Sequence, residues 1–380
     1  MAFRLPTSPQ HFVAALHADQ KGAPTIRKYL LALPAILIVI SILAASAPVE
    51  ARSRMALGVW MPEGNRNPDV YIDFAASISP SSAPLQNAPA IWNASSQWGR
   101  EETKRFPLEM ARAARANRAV LMLTWSPVKP PFNRETGEFS RFQRIASGKH
   151  DTYIRNFARR AKKVGGPVFL RFAHEINVRY FPWTEHWGKF YDPATGERSR
   201  NNDNNPTKFK KAWKRVYNIF QRVGARNVKF LWTVARETCR GCNPYDEWYP
   251  GDKFVHYIGF SSFNWGSHFG GTYTSFMHGI KQPMQKLTFT KKPIIIAELA
   301  TTDEEREPGY GKPEWLWEGY HAVYRNYPRI KAIVYQNVDL AHLGHPNWSL
   351  YSPAAALPKY QQIASKSLFK GRVNNKGQIK

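Results

Sequence analysis

The sequence predicts an α/β fold in which eight parallel strands close into a (β/α)8, or TIM, barrel. From Met55 onward, short apolar runs alternate with amphipathic or polar segments, a pattern typical of parallel strands joined by crossover helices. Eight such repeats in about 320 residues fit the usual size of this barrel. A long uncharged run stands before the first repeat. We therefore expect a single catalytic domain after an N-terminal hydrophobic export or anchor segment.

Residues 1–51 form a basic leader that contains the hydrophobic segment. Tyr29 to Val49 contains no charged residue, follows Arg27 and Lys28, and is long enough to span a bilayer as a helix. Small residues near positions 47 and 51 fit cleavage sites of export signals. The sequence does not distinguish a cleaved signal peptide from an uncleaved membrane anchor. Either one predicts that the rest of the chain is secreted, periplasmic or anchored outside the cytoplasm.

The barrel is expected over residues 52–369. Apolar runs bounded by turn-forming residues predict the strands, and amphipathic spacing predicts helices between them. The polar stretches 184–205 and 236–250 predict loops, and residues 370–380 predict a frayed basic tail. The strand candidates are Ala56–Trp60, Ala90–Asn93, Ala119–Thr124, Val168–Phe172, Val228–Trp232, Tyr257–Phe263, Ile294–Glu298 and Ala332–Gln336. The clearest helical patterns are Leu108–Ala116, Thr152–Val164, Pro206–Val223 and Pro313–Tyr327.

The chain is strongly basic, with a formal net charge of +26. Residues 1–51 contain four basic and two acidic residues, which leaves 26 − 2 = +24 on the exported part. Such a surface attracts polyanions, and an acidic exopolysaccharide or the anionic cell surface are candidate partners. We expect no nucleic-acid partner, since neither zinc-finger spacing nor an RNP-like strand occurs.

The two cysteines, Cys239 and Cys242, stand in one CRGC motif. A structural zinc site would need a second ligand pair, so no metal site is predicted. In an exported protein the pair is a candidate local disulfide. Two free thiols in a loop are the alternative.

Two glutamates follow predicted strands. Glu175 comes after the fourth strand and Glu298 ends the seventh, and the C-terminal ends of barrel strands meet at one mouth. Two carboxylates beside one point suit the cleavage of a glycosidic bond. A separation of about 5–5.5 Å would indicate a retaining mechanism and about 6.5–9.5 Å an inverting one. The simpler alternative is that Glu175 only pairs with Arg171.

Further polar and aromatic residues cluster at the same strand ends. Arg171 is a candidate charge partner for a carboxylate, and exposed aromatic faces can stack on sugar rings. Core packing is the alternative for each Trp, and a structural role is the alternative for His174. The substrate-binding candidates at this point are Arg171, His174, Asn177, Tyr180, Trp183, Trp125, Trp232 and Trp265.

Several motifs, in the same order, resemble those of glycoside hydrolase family 26. They are IASGKHDTYI at 145–154, RFAHEIN at 171–177, Asn227-Val228 with Trp232, YPGD at 249–252, and Lys292-Pro293 with Ala297-Glu298. The resemblance implies a retaining (β/α)8 endo-glycanase without metal or organic cofactor. Its members are most often β-1,4-mannanases, and others act on β-1,3-xylan or mixed-linkage β-glucan. It also implies Glu175 as general acid/base and Glu298 as nucleophile, with His174 beside the sugar.

The chain departs from that family near the cleavage site. Phe263 stands where the family usually has a Tyr that hydrogen-bonds the nucleophile, and Tyr335 stands in place of a strand-eight Trp beneath the sugar. Both are therefore added to the substrate-binding candidates. We expect an exported endo-β-glycanase with altered preference, which hydrolyses a polysaccharide of mannan or β-glucan type. The alternative is a degenerate barrel that binds polysaccharide without cleaving it.

Overall fold

The computed structural model describes residues 53–128, 141–178, 181–184, 204–236 and 243–380. Eight parallel strands close into a barrel in which each strand pairs with the next and the last pairs with the first. This confirms the predicted (β/α)8 fold. Among the helices of the described ranges, none has the length and apolar character to cross a bilayer. The hydrophobic segment 29–49 lies outside the described residues.

The elements follow the predicted order, and several strands extend beyond the predicted ends. The strands are β1 (Ala56–Trp60), β2 (Ile91–Gln97), β3 (Val120–Ser126), β4 (Val168–Phe172), β5 (Val228–Ala235), β6 (Tyr257–Asn264), β7 (Ile294–Thr301) and β8 (Ile330–Gln336). The helices are α1 (Asp69–Ser77), α2 (Leu108–Ala116), α3 (Phe142–Ala146), α4 (Asp151–Lys162), α5 (Pro206–Val223), α6 (Tyr245–Trp248), α7 (Phe276–Lys286), α8 (Lys312–Asn326) and α9 (Ala356–Ser365).

Alternating residues along each strand form two separate cores. One set fills the barrel interior, and the other packs beneath the surrounding helices. Met122, Phe169, Leu231 and Ile295 are fully buried members of the inner cluster. Since parallel strands are buried on both faces, they read in the sequence as continuous apolar runs.

Strand β7 contains a β-bulge beside the predicted nucleophile. Phe260 of β6 pairs with Ile296, but the next residue, Ser261, pairs with Glu298. Ala297 is therefore the extra residue, and it belongs to the inner cluster. Glu298 also faces the interior, where it contacts side chains of β4 and β6. The bulge thus turns two consecutive residues inward, a role that bulges often have near active sites.

The C-terminal tail is folded, and the prediction of a frayed end is wrong. Ile379 is 6% exposed and packs in the inner cluster. The Tyr257 hydroxyl donates to Gly377 O and accepts from Ile379 N, and Val373 bridges to Ile379. Tyr257 begins β6, so the tail closes the N-terminal end of the barrel. The buried side chain of Ile379 helps to hold the tail at this end of the barrel. The basic composition of the tail gave no indication of this burial.

Part of the stretch 236–250 is also ordered where only loop was predicted. Helix α6 occupies four of its residues, and both Tyr245 and Trp248 are buried. The Tyr245 hydroxyl donates to the main chain at Arg236. Two apolar aromatic rings are sufficient to anchor this turn despite its polar surroundings.

Candidate active site

Arg171 lies at the centre of the barrel mouth, and its side chain is fully buried. Its Nε donates to Thr233 Oγ1 at 2.9 Å, its Nη1 to Glu298 Oε1 at 2.6 Å and its Nη2 to Ser261 Oγ at 2.8 Å. Nη2 also lies 3.8 Å from Glu175 Oε1. One guanidinium from β4 therefore joins β5, β6 and β7 and contacts both predicted carboxylates. The alternative in which Glu175 only pairs with Arg171 is incomplete, because Arg171 also binds Glu298.

Ser261 is a second group shared by the two carboxylates. Its hydroxyl lies 3.2 Å from Glu298 Oε2. Burial raises the pKa of Glu175, and hydrogen bonding with Ser261 opposes this effect. Arg171 contacts both carboxylates, so Glu175 and Glu298 lie beside the same guanidinium and the same hydroxyl.

The backbone after β4 has an unusual conformation that positions Glu175. Ala173 and Glu175 both have positive φ, 46° and 51°, which costs non-glycine residues about 1–3 kcal/mol each. The neighbouring strands hold this segment from both sides. Ala173 N donates to Trp125 O of β3 at 3.1 Å, and Glu175 N donates to Thr233 O of β5 at 3.2 Å.

The Glu175 carboxyl group has the protonation behaviour of a general acid. Burial raises its pKa to about 7, and the negative charge of Glu298 adds to this effect, whereas Arg171 opposes it. A general acid works best when its pKa lies close to the working pH. Glu175 is therefore suited to donate a proton near neutrality.

His174 is a buried, neutral imidazole between the acid and an aromatic wall. Burial, and then the charge of Arg171, lower its pKa well below the usual value. Its ring contacts Phe181 and Trp183 at centroid distances of 4.7 and 5.2 Å. Within the described ranges, its Nδ1 has no hydrogen-bond partner. Its predicted contact with the sugar stays a prediction.

Asn177 has a structural role, and the prediction that it binds substrate is wrong. It is 1% exposed. Its Nδ2 donates to Ala235 O at 3.0 Å, and its Oδ1 accepts from Ala235 N at 2.7 Å. The side chain therefore ties the segment after β4 to the end of β5.

Four predicted sugar-stacking aromatics lie in the core, so the prediction is wrong for each of them. Trp125, Trp232 and Tyr335 occupy the strand positions that face the helices, not the barrel interior. They are 0%, 1% and 0% exposed. Trp183 is 1% exposed, stacks on Phe181, and donates from Nε1 to His174 O at 2.8 Å. Rings covered in this way offer no free face to a sugar.

Phe263 and Trp265 remain candidates at the mouth, where both are half-buried. Phe263 stacks on Trp348 with ring centroids 4.7 Å apart, and Trp265 meets Trp348 edge-on at 4.8 Å. Phe263 has no hydroxyl to offer Glu298. Ser261, two residues earlier on the same strand, lies 3.2 Å from Glu298 Oε2.

Five residues at the mouth are not among the candidates predicted from the sequence. Thr233 and Ser261 bind Arg171, whereas Trp60, Asn93 and Gln336 stand side by side on β1, β2 and β8. Trp60 and Gln336 end their strands, and the other three follow the same inward alternation within theirs. That pattern could have identified them. Tyr180, Cys239 and Cys242 lie outside the described residues. Within the part of the chain that the structure describes, no three His, Cys, Asp or Glu side chains come together as metal ligands would.

Comparison with known proteins confirms the family resemblance. Residues 141–293 match the model of glycosyl hydrolase family 26, a range that includes Glu175 and ends before Glu298. Endoglucanase H of Acetivibrio thermocellus is 27% identical over 327 residues, which are 86% of this chain and 32% of that protein. The β-1,3-xylanase TXYA of a Vibrio species is 26% identical over 52% of this chain and 41% of its own length. The chain thus spans about a third to two fifths of these curated relatives.

Solved structures show the same fold at low identity. A family 26 β-mannanase from Bacteroides ovatus superposes with a TM-score of 0.57 at 13% identity, covering 86% of this chain and 93% of that one. The mannanase man26 from Bacillus subtilis gives a TM-score of 0.54 at 16% identity, over 87% and 91% of the two chains. Both support the barrel architecture.

Proposed function

Since this chain is a relative of glycoside hydrolase family 26, we propose that it is a retaining endo-β-glycanase that uses Glu175 and Glu298. The observation that carries the proposal is the buried Arg171 shared by two carboxylates, one of which has its pKa raised to about 7. The pair consists of one group that holds a proton and one that is bound by a cation. Glycosidic cleavage needs these two groups.

In the proposed reaction, Glu175 donates its proton to the glycosidic oxygen while Glu298 attacks the anomeric carbon. The bond to the leaving sugar breaks, and a covalent glycosyl ester forms on Glu298. Glu175, now ionised, then takes a proton from water as the water hydrolyses the ester. Arg171 and Ser261 orient Glu298 for attack.

The retaining assignment is taken from the family that the chain resembles. Both carboxylates contact Arg171, which brings them to the same region of the barrel mouth. The substrate class is taken from the relatives. Their names include an endoglucanase, a β-1,3-xylanase and β-mannanases, so we propose a β-linked polysaccharide of mannan or β-glucan type.

The experiment measures reducing-end release by the purified full chain. The panel contains mannan, glucomannan, mixed-linkage glucan and β-1,3-xylan, and Glu298→Ala is run alongside. We expect release from one polymer and its loss in the variant, which should still fold although it is less stable, because Arg171 loses a buried partner. Equal release by the variant would refute the mechanism, and binding without any release would favour the degenerate barrel.

We also propose that the chain is exported by its segment at 29–49. That segment is uncharged and follows basic residues, as in export signals. The test is N-terminal sequencing of the protein from cell fractions. A mature N-terminus near residue 48 or 52 would indicate cleavage, an intact N-terminus in the membrane fraction would indicate an anchor, and an intact protein in the cytoplasm would refute export.

A cationic face suggests a second, accessory function in binding acidic polysaccharide. Apart from Arg171 and Glu175 of the site above, the described residues between 141 and 236 include seventeen Lys or Arg and one acid, 17 − 1 = +16. The acid is Asp151, which pairs with Arg215 at 2.7 Å. Helices α4 and α5 lie side by side here, because Lys162 Nζ reaches Val223 O.

The α4–α5 face, defined by the exposed residues Arg159, Lys163 and Arg222, provides the test. Replacing all three by Glu should abolish salt-dependent retention on alginate, whereas the same charge change elsewhere should not. The control carries Glu at the exposed positions Lys281, Lys291 and Lys376. Equal loss in both variants would mean that only net charge matters. Retention on anionic vesicles but not on alginate would assign the face to membranes.

A further inference from the structure

The N-terminal end of the barrel, which we call the base, carries a large excess of positive charge. In a (β/α)8 barrel the connections from each helix to the next strand lie at this end, and the C-terminal tail closes it. The described residues of these segments include thirteen Lys or Arg and one acid, 13 − 1 = +12. The segments are 53–55, 78–90, 117–119, 163–167, 224–227, 249–256, 287–293, 327–329 and 366–380.

The mouth, at the opposite end of the barrel, has no such excess. The described residues of the connections from each strand to the next helix include seven Lys or Arg and nine acids, 7 − 9 = −2. The positive charge is therefore a property of one end of the barrel and not of both. The residues counted are 61–68, 98–107, 127–128, 141, 173–178, 181–184, 204–205, 236, 243–244, 265–275, 302–311 and 337–355.

The basic groups of the base lie close to one another. Burial, and then the charge of Arg118, lower the pKa of Arg372, and burial followed by the charge of Arg372 lowers the pKa of Lys370. The one acid, Asp252, accepts hydrogen bonds from two uncharged hydroxyls. The ion pairs between described residues all involve other side chains. Like charges that repel each other in this way are stabilised by an anionic partner.

Two exposed apolar side chains stand among these charges. Leu85 and Phe289 are 37% and 38% exposed, in the connections that lead to β2 and β7. Lys370 Nζ donates to Gln86 O at 3.1 Å, which places Leu85 beside the basic tail, and two lysines closely follow Phe289. Binding to the surface of an anionic bilayer draws on both features, because apolar side chains are buried in its interface while basic ones attract its headgroups.

The described chain also enters the barrel at the base. Ser53 Oγ accepts a hydrogen bond from Lys331 Nζ at 2.8 Å, at the start of β8. Three residues separate Ser53 from Val49, the last residue of the uncharged run, and such a connection spans at most about 14 Å. The covalent route to the proposed export segment thus leaves from the base and not from the mouth. This favours lipid headgroups over a soluble polyanion as the partner.

We infer that the base is a docking surface for a bilayer that contains anionic lipids. Its cations bind the headgroups, and Leu85 and Phe289 enter the interfacial layer. The mouth then opens on the side away from the lipid, where a polymeric glycan has access to it. This inference rests on the proposed export of the chain and is independent of the glycanase proposal.

The test is hydrogen–deuterium exchange of the full chain reconstituted into lipid nanodiscs, read by mass spectrometry. One set of discs contains phosphatidylcholine alone, and the other also contains phosphatidylglycerol. The amides of 78–90, 287–293 and 370–380 should exchange at least about fivefold more slowly in the anionic discs, since even one basic residue at such a surface favours the docked state by about that factor. High salt should remove the difference, because it screens exposed charges.

Two charge-reversal variants identify the face. The base variant should lose the slowing, and it carries Glu at the exposed residues Arg118, Arg226 and Lys380, none of which defines the α4–α5 face. The control should keep the slowing, and it carries Glu at exposed residues just before α1, α2 and α4, namely Arg66, Arg105 and Lys149. If the base variant has a lower unfolding midpoint in urea, Gln replaces Glu at the same three positions, and the slowing should still decrease.

Three results would overturn the inference. They are equal exchange in the two kinds of disc, equal loss of the slowing in the base variant and the control, and slowing by added alginate in neutral discs without slowing by phosphatidylglycerol. The last result would assign the base to acidic polysaccharide. An intact protein in the cytoplasm would refute export, whereas equal exchange in the two kinds of disc would refute the base as the lipid-binding face, so the two failures are distinguishable.

Discussion

The replacement Glu175→Gln should make the protein more stable at alkaline pH while it abolishes general-acid catalysis. The folded protein holds the Glu175 proton more tightly than the unfolded chain does, because its pKa is raised from 4.5 to about 7 by burial and by Glu298. Glu175 therefore contributes stability that is fully present below about pH 4.5 and is lost as the pH rises through about 7. Gln cannot ionise, so the variant avoids that loss.

The magnitude follows from the pKa difference. The interval between 4.5 and about 7, at about 1.4 kcal/mol per pKa unit, corresponds to roughly 3 kcal/mol. The free energy of unfolding of Glu175→Gln should thus exceed that of the wild type by about 3 kcal/mol at pH 8. At pH 4 the two proteins should differ little, since the wild-type carboxyl is then protonated in the folded state.

The assay is urea unfolding of both proteins from pH 4 to pH 8.5, followed by tryptophan fluorescence. The control is Glu109→Gln, whose carboxylate is 80% exposed on α2 and should change stability by less than about 0.5 kcal/mol at any pH. A difference that does not grow with pH, or a wild type that is more stable than the variant at pH 8, would refute the assignment of Glu175 as a buried acid.

Three further predictions concern the site and the fold. Arg171→Met should abolish reducing-end release and lower the free energy of unfolding by about 3–5 kcal/mol, since it leaves a buried carboxylate without its cation. The control Arg215→Met, at a part-exposed ion pair, should lower the free energy of unfolding by about 1 kcal/mol or less. Equal losses in the two variants would contradict the central role of Arg171. The ratio kcat/KM should decline above pH of about 7, because Glu175 must enter the reaction protonated; a constant ratio from pH 6 to 9 would argue against Glu175 as the acid. Ile379→Ala should lower the free energy of unfolding in urea by about 2–4 kcal/mol, and no loss would mean that the tail does not close the barrel.

The sequence by itself determined the strand order and the two carboxylates. Parallel strands buried on both faces appear in the sequence as short apolar runs, so the C-terminal end of each strand can be located. The polar residues at those ends include Arg171, Glu175 and Glu298. The helices Leu108–Ala116 and Pro206–Val223 were predicted with the observed bounds. These features are local, because they depend on the spacing of apolar residues within one segment.

The tertiary structure decided which way each strand-end residue faces. A position at a strand end does not determine whether a side chain faces the barrel interior or the surrounding helices. Trp125, Trp232 and Tyr335 were therefore assigned to the mouth although they face the helices. Glu298 shows the opposite case. Simple alternation from Ile295 would turn it outward, and the bulge at Ala297 brings it back to the interior. The tail at Ile379 was misjudged because its partners, the residues of the inner cluster, come from distant strands. Facing, bulges and long-range burial arise from pairing between segments far apart in the chain, and no single segment encodes them.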